Sequence, residues 1–196
     1  ELILWFQNRS PLMGFRALIT VGPTHEPIDA VRFIGNRSSG RQGVAIAEEL
    51  ARRGAIVDLI AGPIEQSTDH PAIQRRDVET AMEIHTAAMD ALRANQPDVI
   101  IGTAAVSDVR PSKPVEGKTA KVNLPDHIEL TQNPDILASL NALAPDHCFK
   151  VGFALAHDDG VEAAIQKREQ KRCDLVVLNS LADKGAGFGH TTNRVS

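Results

Sequence analysis

The run "RALITVGPTHEPIDAVRFIGNRSSGRQGVAIAEELARRG", Arg16 to Gly54, holds a strand, a long polar connection and a helix in one stretch. Arg16–Gly22 is short, apolar and β-branched, closes on Gly-Pro, and reads as a buried strand. The helix is predicted from about Ser39 to Arg53. Val44, Ile46, Ala47, Leu50 and Ala51 mark its apolar face, and Arg52, Arg53 and Gly54 supply a stop. Ala55–Gly62 follows as a second buried strand, closed by Gly62-Pro63. A strand, a helix and a strand in this order call for a parallel pair with a crossover.

The same alternation extends outward. Arg75–Glu79 is a weak third strand, Thr80–Gln96 a helix with Met82, Ile84, Ala88, Met89 and Leu92 mostly on one side, and Asp98–Ala105 a strongly apolar fourth strand. The polar segment Ser107–Asn133 has few helix signals and room for a hairpin. Pro134–Leu143 reads as a helix with proline in its first turn. Phe149–Leu155, Asp159–Arg172 and Asp174–Ser180 read as strand, helix and strand. The predicted fold is α/β: a three-layer, Rossmann-like, mostly parallel sheet with helices on both faces. Ligands in such sheets sit beyond the carboxyl ends of the strands, so the loops after Val21, Ile60, Ile101, Phe153 and Leu178 are the ones to watch.

The chain has 196 residues, 42% of them hydrophobic and 23% charged, which suits one globular domain. A net charge of −4 supplies no basic field for nucleic acid, and 4% aromatics with no Tyr supply no stacking platform. No apolar run approaches the roughly 20 residues that span a bilayer. Two cysteines in no paired motif, Cys148 and Cys173, suit buried thiols in a reduced, cytoplasmic protein. Residues 1–12 fit no period that follows and read as a leader or tag ahead of Met13. Residues 13–196 then form a single domain that lacks the closing strand and helix of a doubly wound fold.

A dinucleotide site would need G-x-G-x-x-G after the first strand and an acidic residue at the tip of the second. Here the first strand runs into "VGPTHEP" and the second ends Ile60-Ala61-Gly62-Pro63, so an oxidoreductase reading is disfavoured. Ser38, Ser39 and Gly40 stand at a helix start instead. Backbone N–H groups, the helix dipole and two hydroxyls there can hold an anion. A plain serine N-cap would give the same pattern with no ligand. Arg37, Arg41 and Asn36 around it favour the anion, and Gly43 would let the helix pack close to the strand. The seven histidines show no metal-ligand spacing, and no serine or cysteine stands in a nucleophile motif.

Seven segments in order resemble one family. They are "EPIDAVRFIGNRSSG" (26–40), "AAVSDVRP" (104–111), "GKTAK" (117–121), "NPDIL" (133–137), "VGFA" (151–154), "QKREQK" (166–171) and "GFG" (187–189) with Asn193 and Val195. The chain is similar to phosphopantothenoylcysteine synthetase, the phosphopantothenate–cysteine ligase of coenzyme A biosynthesis. The resemblance implies a two-step reaction. A nucleoside triphosphate, CTP in the bacterial type, activates the carboxylate of 4′-phosphopantothenate as an acyl-cytidylate, and the amine of cysteine then forms the amide. Mg²⁺ is implied as the triphosphate's counter-ion, and a homodimer as the assembly.

The resemblance also assigns roles. Asn36 and Lys118 are implied to be catalytic, the former donating to the acyl oxygen in the second half-reaction and the latter pairing with phosphate or developing charge. Ser38, Ser39, Gly40, Gly102, Thr103, Ala104, Asp108, Pro134, Asp135, Ile136, Leu137, Phe153, Lys167 and Lys171 are implied to bind the nucleotide. Lys167 and Lys171 are four apart, so they share a helix face and repel unless an anion lies between them. The chain departs from the family where Ala120 replaces a second basic residue, where "RQG" replaces "KMG", and where Leu155, Ala156 and His157 follow "VGFA". Those departures and the short C-terminus keep open a non-catalytic nucleotide-binding or dimerisation module.

Overall fold

The structure is a computed structural model that describes residues 10–123, 126–156 and 160–180. Six parallel strands form the central sheet: β1 (Arg16–Val21), β4 (Ile56–Ala61), β5 (Ile73–Asp77), β6 (Val99–Gly102), β9 (Phe149–Ala156) and β10 (Leu175–Ser180). Their spatial order is β10-β9-β6-β1-β4-β5. The chain therefore winds outward twice from the centre, and the order reverses between β1 and β6. That reversal is the topological switch point, where doubly wound sheets open a crevice.

Alternation along β1 builds the two cores. Ala17, Ile19 and Val21 face one side, where they meet Val44, Ala47 and Ala51 of α1 (Arg41–Arg52). Leu18 faces the other, with Ile84, Ala88 and Leu92 of α2 (Ala81–Asn95) and Ile136 and Leu140 of α3 (Ile136–Leu143). The apolar stripe read from the sequence thus places α1 alone on one face and α2 and α3 on the other. The last helix, α4 (Val161–Gln170), runs from β9 to β10 and buries none of its residues among those described. The link from β4 to β5 (62–72) contains no helix.

Glycine fixes how closely α1 meets the sheet. A Cβ on Gly43 would stand 2.2 Å from Thr103 Oγ1 and 2.6 Å from Val21 Cγ2, so only glycine lets the helix ride on the ends of β1 and β6. The expected close packing at this position is what the structure shows.

Two small hairpins were not resolved as elements by sequence pattern in equal measure. The first, β2 (His25–Pro27) with β3 (Phe33–Gly35), lies inside what reads as a long loop. Its strands are three residues each and are held from outside: His25 N–H donates to Glu79 O at 2.9 Å, and the buried Glu26 carboxylate accepts from Ala81 N–H at 2.9 Å, at the start of α2. The second, β7 (Val109–Pro111) with β8 (Leu130–Gln132), falls within the polar segment expected to hold a hairpin. The third strand of the sheet begins at Ile73, two residues earlier than its charged sequence suggests, because Val57 N–H draws Ala72 into the β4 ladder. Leu12, in the stretch read as a leader, donates its N–H to Arg53 O at 3.0 Å and packs against the α1 core.

Candidate active site

The switch point opens into two cavities that share a wall. The larger, about 1040 Å³, runs from the start of α1 along Thr103–Val106 to Phe153 and Asn179. The smaller, about 420 Å³, lies between the end of β6, Ser107–Val109 and the start of α3. Ala104, Val106, Phe153 and Lys167 line both. The opposite side of the switch point, toward β4, is filled by the chain itself. A Cβ on Gly22 would stand 2.7 Å from Ile64, and one on Gly62 would stand 1.9 Å from the Pro23 carbonyl oxygen. Where a dinucleotide-binding fold seats its ribose, this molecule packs its own backbone.

The first helix start meets the larger cavity with Ser38, Ser39 and Gly40. Helix α1 begins at Arg41, two residues later than its sequence suggests, and its N-cap is Gly40 in the left-handed region at φ 73°. No serine caps it: Ser38 Oγ accepts only from Gly40 N–H, at 3.4 Å. A serine N-cap is therefore not the reason for the "SSG" sequence, and among the described residues no side chain caps the first turn of α1, which lines the cavity.

The second helix start meets the smaller cavity with Pro134, Asp135, Ile136 and Leu137. Here the expected first-turn proline is corrected. Asp135 is the N-cap, its Oδ1 accepting from Ala138 N–H at 3.0 Å, and Pro134 lies just outside the helix. An aspartate is the better cap because its carboxylate both accepts the orphan N–H and complements the dipole. Gly102 packs beneath Leu137, where an added Cβ would stand 3.0 Å from Leu137 Cδ1, and Asp108 lines the cavity from the exposed far side.

Lys167 of α4 and Lys171 at its C-cap are not left facing each other across a gap. Lys167 Nζ donates to Phe153 O at 2.6 Å, and Lys171 Nζ pairs with Asp135 Oδ2. The anion that the spacing asks for is thus met in part by Asp135. Burial, and then the ammonium of Lys171, push the Lys167 pKa below the ordinary lysine value. Asn141, buried on α3, completes the clamp by donating to Lys171 O at 2.7 Å.

Asn36 and Lys118 line neither cavity. Asn36 stands just after β3 and donates Nδ2–H to Ala105 O at 2.8 Å, so it is moored to a residue of the larger cavity's wall. This bond spans the chain and is not the local turn contact an isolated asparagine would favour. An amide nitrogen carries a second proton that remains for another acceptor. Lys118 is exposed on the loop 115–121, against the turn of the first hairpin. Thr103, which the sequence reading placed beside the nucleotide, uses its hydroxyl to donate to Thr20 O at 2.8 Å and so ties β6 to β1.

Sequence reasoning passed over Gln42, Asn133 and Asn179. Asn179 stands near the carboxyl end of the last apolar strand and donates Nδ2–H to Gln42 Oε1 at 3.2 Å, while its own Oδ1 is buried without a partner among the described residues. A polar residue ending an apolar strand was the available signal. Asn133 Nδ2 donates to Ser107 O at 2.8 Å and holds the smaller cavity's two loops together. His157 and the Gly187–Val195 motif lie outside the described residues.

Comparison with known proteins gives a consistent set of likenesses. Residues 12–196 match the family described as DNA/pantothenate metabolism flavoprotein C-terminal domain. A cysteine/cysteine sulfinic acid decarboxylase from an unknown prokaryotic organism is 41% identical over 200 residues, covering all of this chain and 55% of that protein. The coenzyme A biosynthesis bifunctional protein CoaBC of Vibrio vulnificus (strain YJ016) is 38% identical over 193 residues, covering 97% of this chain and 47% of that one. The chain spans about half the length of the curated relatives it matches. Among solved structures, the C-terminal domain of a CoaBC protein superposes with a TM-score of 0.71 at 35% identity, over 87% of this chain and 79% of that one.

Proposed function

The chain belongs to the DNA/pantothenate metabolism flavoprotein C-terminal domain family, and from that premise we infer that it is a phosphopantothenate–cysteine ligase of coenzyme A biosynthesis. The observation that carries this reading is the pair of cavities joined at Lys167 and Phe153, each with a helix start at its rim. Activating a carboxylate with a nucleotide brings two anions together. A site for it needs two places to rest negative charge and a shared cation between them.

The nucleoside triphosphate, CTP in this reading, takes the polyphosphate cradle of Ser38–Gly40 and Lys167, with Phe153 against the base. Gly102, Ala104, Asp108 and the 134–137 turn complete its contacts, and Lys171 adds charge where Asp135 releases it. Small side chains along 102–104 let the nucleotide approach the backbone. Among the described residues no three His, Cys, Asp or Glu side chains gather into a metal cage. The donors present therefore suit a Mg²⁺ that arrives on phosphate oxygens, with Asp108 the exposed carboxylate on that rim. That ion would neutralise phosphate charge.

In the second half-reaction the cysteine amine attacks the acyl carbon and nucleoside monophosphate leaves. Negative charge grows on the acyl oxygen, and in this reading the second Asn36 N–H donates to it. Lys118 supplies positive charge to the same ligand from its loop. Cytoplasmic location and a homodimer accord with the family reading. No described helix is long and apolar enough to cross a membrane.

The test is pyrophosphate release from CTP or ATP with Mg²⁺ and 4′-phosphopantothenate, followed by mass detection of the amide once cysteine is added. Release dependent on phosphopantothenate, and amide dependent on cysteine, support the ligase. Nucleotide binding with no release would instead favour the non-catalytic module.

A further inference from the structure

Asp29 is the most heavily engaged carboxylate among the described residues, yet nothing in the proposed chemistry uses it. It sits in the turn between β2 and β3, with a fully buried side chain. Its Oδ1 accepts from Val31 N–H and Arg32 N–H, both at 2.9 Å. Its Oδ2 accepts from the Arg32 guanidinium at 2.5 Å and, across 90 residues of sequence, from Thr119 N–H at 3.3 Å. Two further backbone bonds accompany that long-range contact: Ala30 N–H donates to Gly117 O at 3.1 Å and Val115 N–H to Ile28 O at 3.0 Å. The loop is thus gripped at Gly117 and at Thr119, and the residue between them is Lys118.

One hairpin therefore carries both of the catalytic candidates that line no cavity. Its turn holds the backbone on either side of Lys118. Its outgoing strand leads to Asn36, which is moored to Ala105. The geometry points to Asp29 as the positioning residue for Lys118, setting where the ammonium stands relative to Asn36 while touching no substrate itself. This rests on the assignment of Lys118 made above. A carboxylate suits the task because it is acceptor-only, so one residue can close its own turn with one oxygen and hold a distant loop with the other. The Val31 N–H, with those of Arg32 and Thr119 and the Arg32 charge, holds its pKa down to about 2 against the opposing effect of burial. It is ionised wherever the protein works.

The chosen substitution is Asp29→Asn. The amide keeps one oxygen for Val31 and Arg32, so the turn persists. It presents an N–H₂ donor where Thr119 and the guanidinium also donate, so the loop grip fails. Three measurements test the assignment. In the parent protein, the Thr119 N–H, which is bonded to Asp29, should exchange more slowly than that of the exposed Lys113. In Asp29→Asn that protection should vanish while protection of β1 and β6 is kept. In amide-forming turnover, kcat should fall by roughly tenfold to a hundredfold with little change in KM for the nucleotide, the scale of an ångström misplacement. Adding Asp29→Asn to Lys118→Ala should then cost nothing more, because the positioned group is gone.

Free exchange of the Thr119 N–H in the parent would overturn the proposal. So would retained protection in Asp29→Asn, or an Asp29→Asn loss that simply multiplies with that of Lys118→Ala. If the parent makes no amide, the ligase reading fails. The exchange measurements still decide whether Asp29 holds the loop.

Discussion

Two helix starts open on the same cleft and are finished in opposite ways. Helix α1 begins on a left-handed glycine with no side-chain cap, and its first turn looks into the larger cavity. Helix α3 begins on Asp135, whose carboxylate caps Ala138 with one oxygen and pairs with Lys171 through the other. The first end has no side-chain cap among the described residues, so its N–H groups and dipole favour an anion. The second has its own anion in place, so a ligand there must compete with a resident carboxylate. In the proposed ligase, the difference favours the charge-dense polyphosphate at α1 and a lighter contact at α3.

The largest expected effect lies on the α1 side. Asn36→Ala should leave pyrophosphate release running while amide formation slows by about 10²-fold or more, the usual loss for a donor to a developing oxyanion. Rapid-quench analysis should show the acyl-nucleotide accumulating; loss of both steps would remove Asn36 from the second half-reaction. Next is Lys167, which both cavities share. Lys167→Met should weaken nucleotide binding by roughly tenfold to a hundredfold, the scale of a charge-assisted hydrogen bond, as calorimetry would record. In the parent, because burial lowers the Lys167 pKa, that affinity should fall as the pH is raised, and at a lower pH than loss of an ordinary lysine's charge would give. An alkaline edge unchanged in Lys167→Arg would assign it to another group.

Gly43→Ala tests whether α1 must sit as close to the switch point as it does. The added methyl meets Thr103 and Val21. Overpacking of this kind costs about 1–3 kcal/mol, partly offset by about 1 kcal/mol of helix propensity. Urea unfolding should show a net loss, and an unchanged midpoint would mean the helix can move outward freely. The smallest effect is reserved for Asp135→Asn. Asparagine caps as well as aspartate, so stability should shift by no more than about 0.5 kcal/mol. Lys171 loses its resident anion, so nucleotide binding should tighten a few-fold. Weaker binding would show that Asp135 itself contacts the ligand and would erase the contrast between the two helix ends.

How far the sequence could be read follows the same contrast. The central strands and α1 announce themselves because burial on both sheet faces forces runs such as "DVIIG" and a one-sided stripe from Val44 to Ala51, whereas the charged, half-exposed edge strand Ile73–Asp77 is only weakly legible. Gly43 was legible because a helix near a strand end needs a small residue. The first hairpin was not. "HEP" and "FIG" have no strand period of their own, and their conformation is imposed by Glu79 and Ala81 far along the chain. The site residues were legible mainly through resemblance. Spacing predicted that Lys167 and Lys171 share a face, but their partners, Phe153 O and Asp135, come from other elements and leave no local trace. Asp29 was overlooked for the same reason, since its most telling contact is with Thr119.

The mooring of Asn36 has a mechanical consequence. The peptide plane before Ala105 is pinned by its N–H to Gly22 O at 2.8 Å, and the plane after it by its carbonyl to Asn36. Neither plane can swivel without breaking a bond. Loops at strand tips often toggle by such swivels, showing a guest first an oxygen and then a proton. This one cannot, so the floor of the cleft behaves as a fixed gauge, and any adjustment during turnover falls to whatever lies above it.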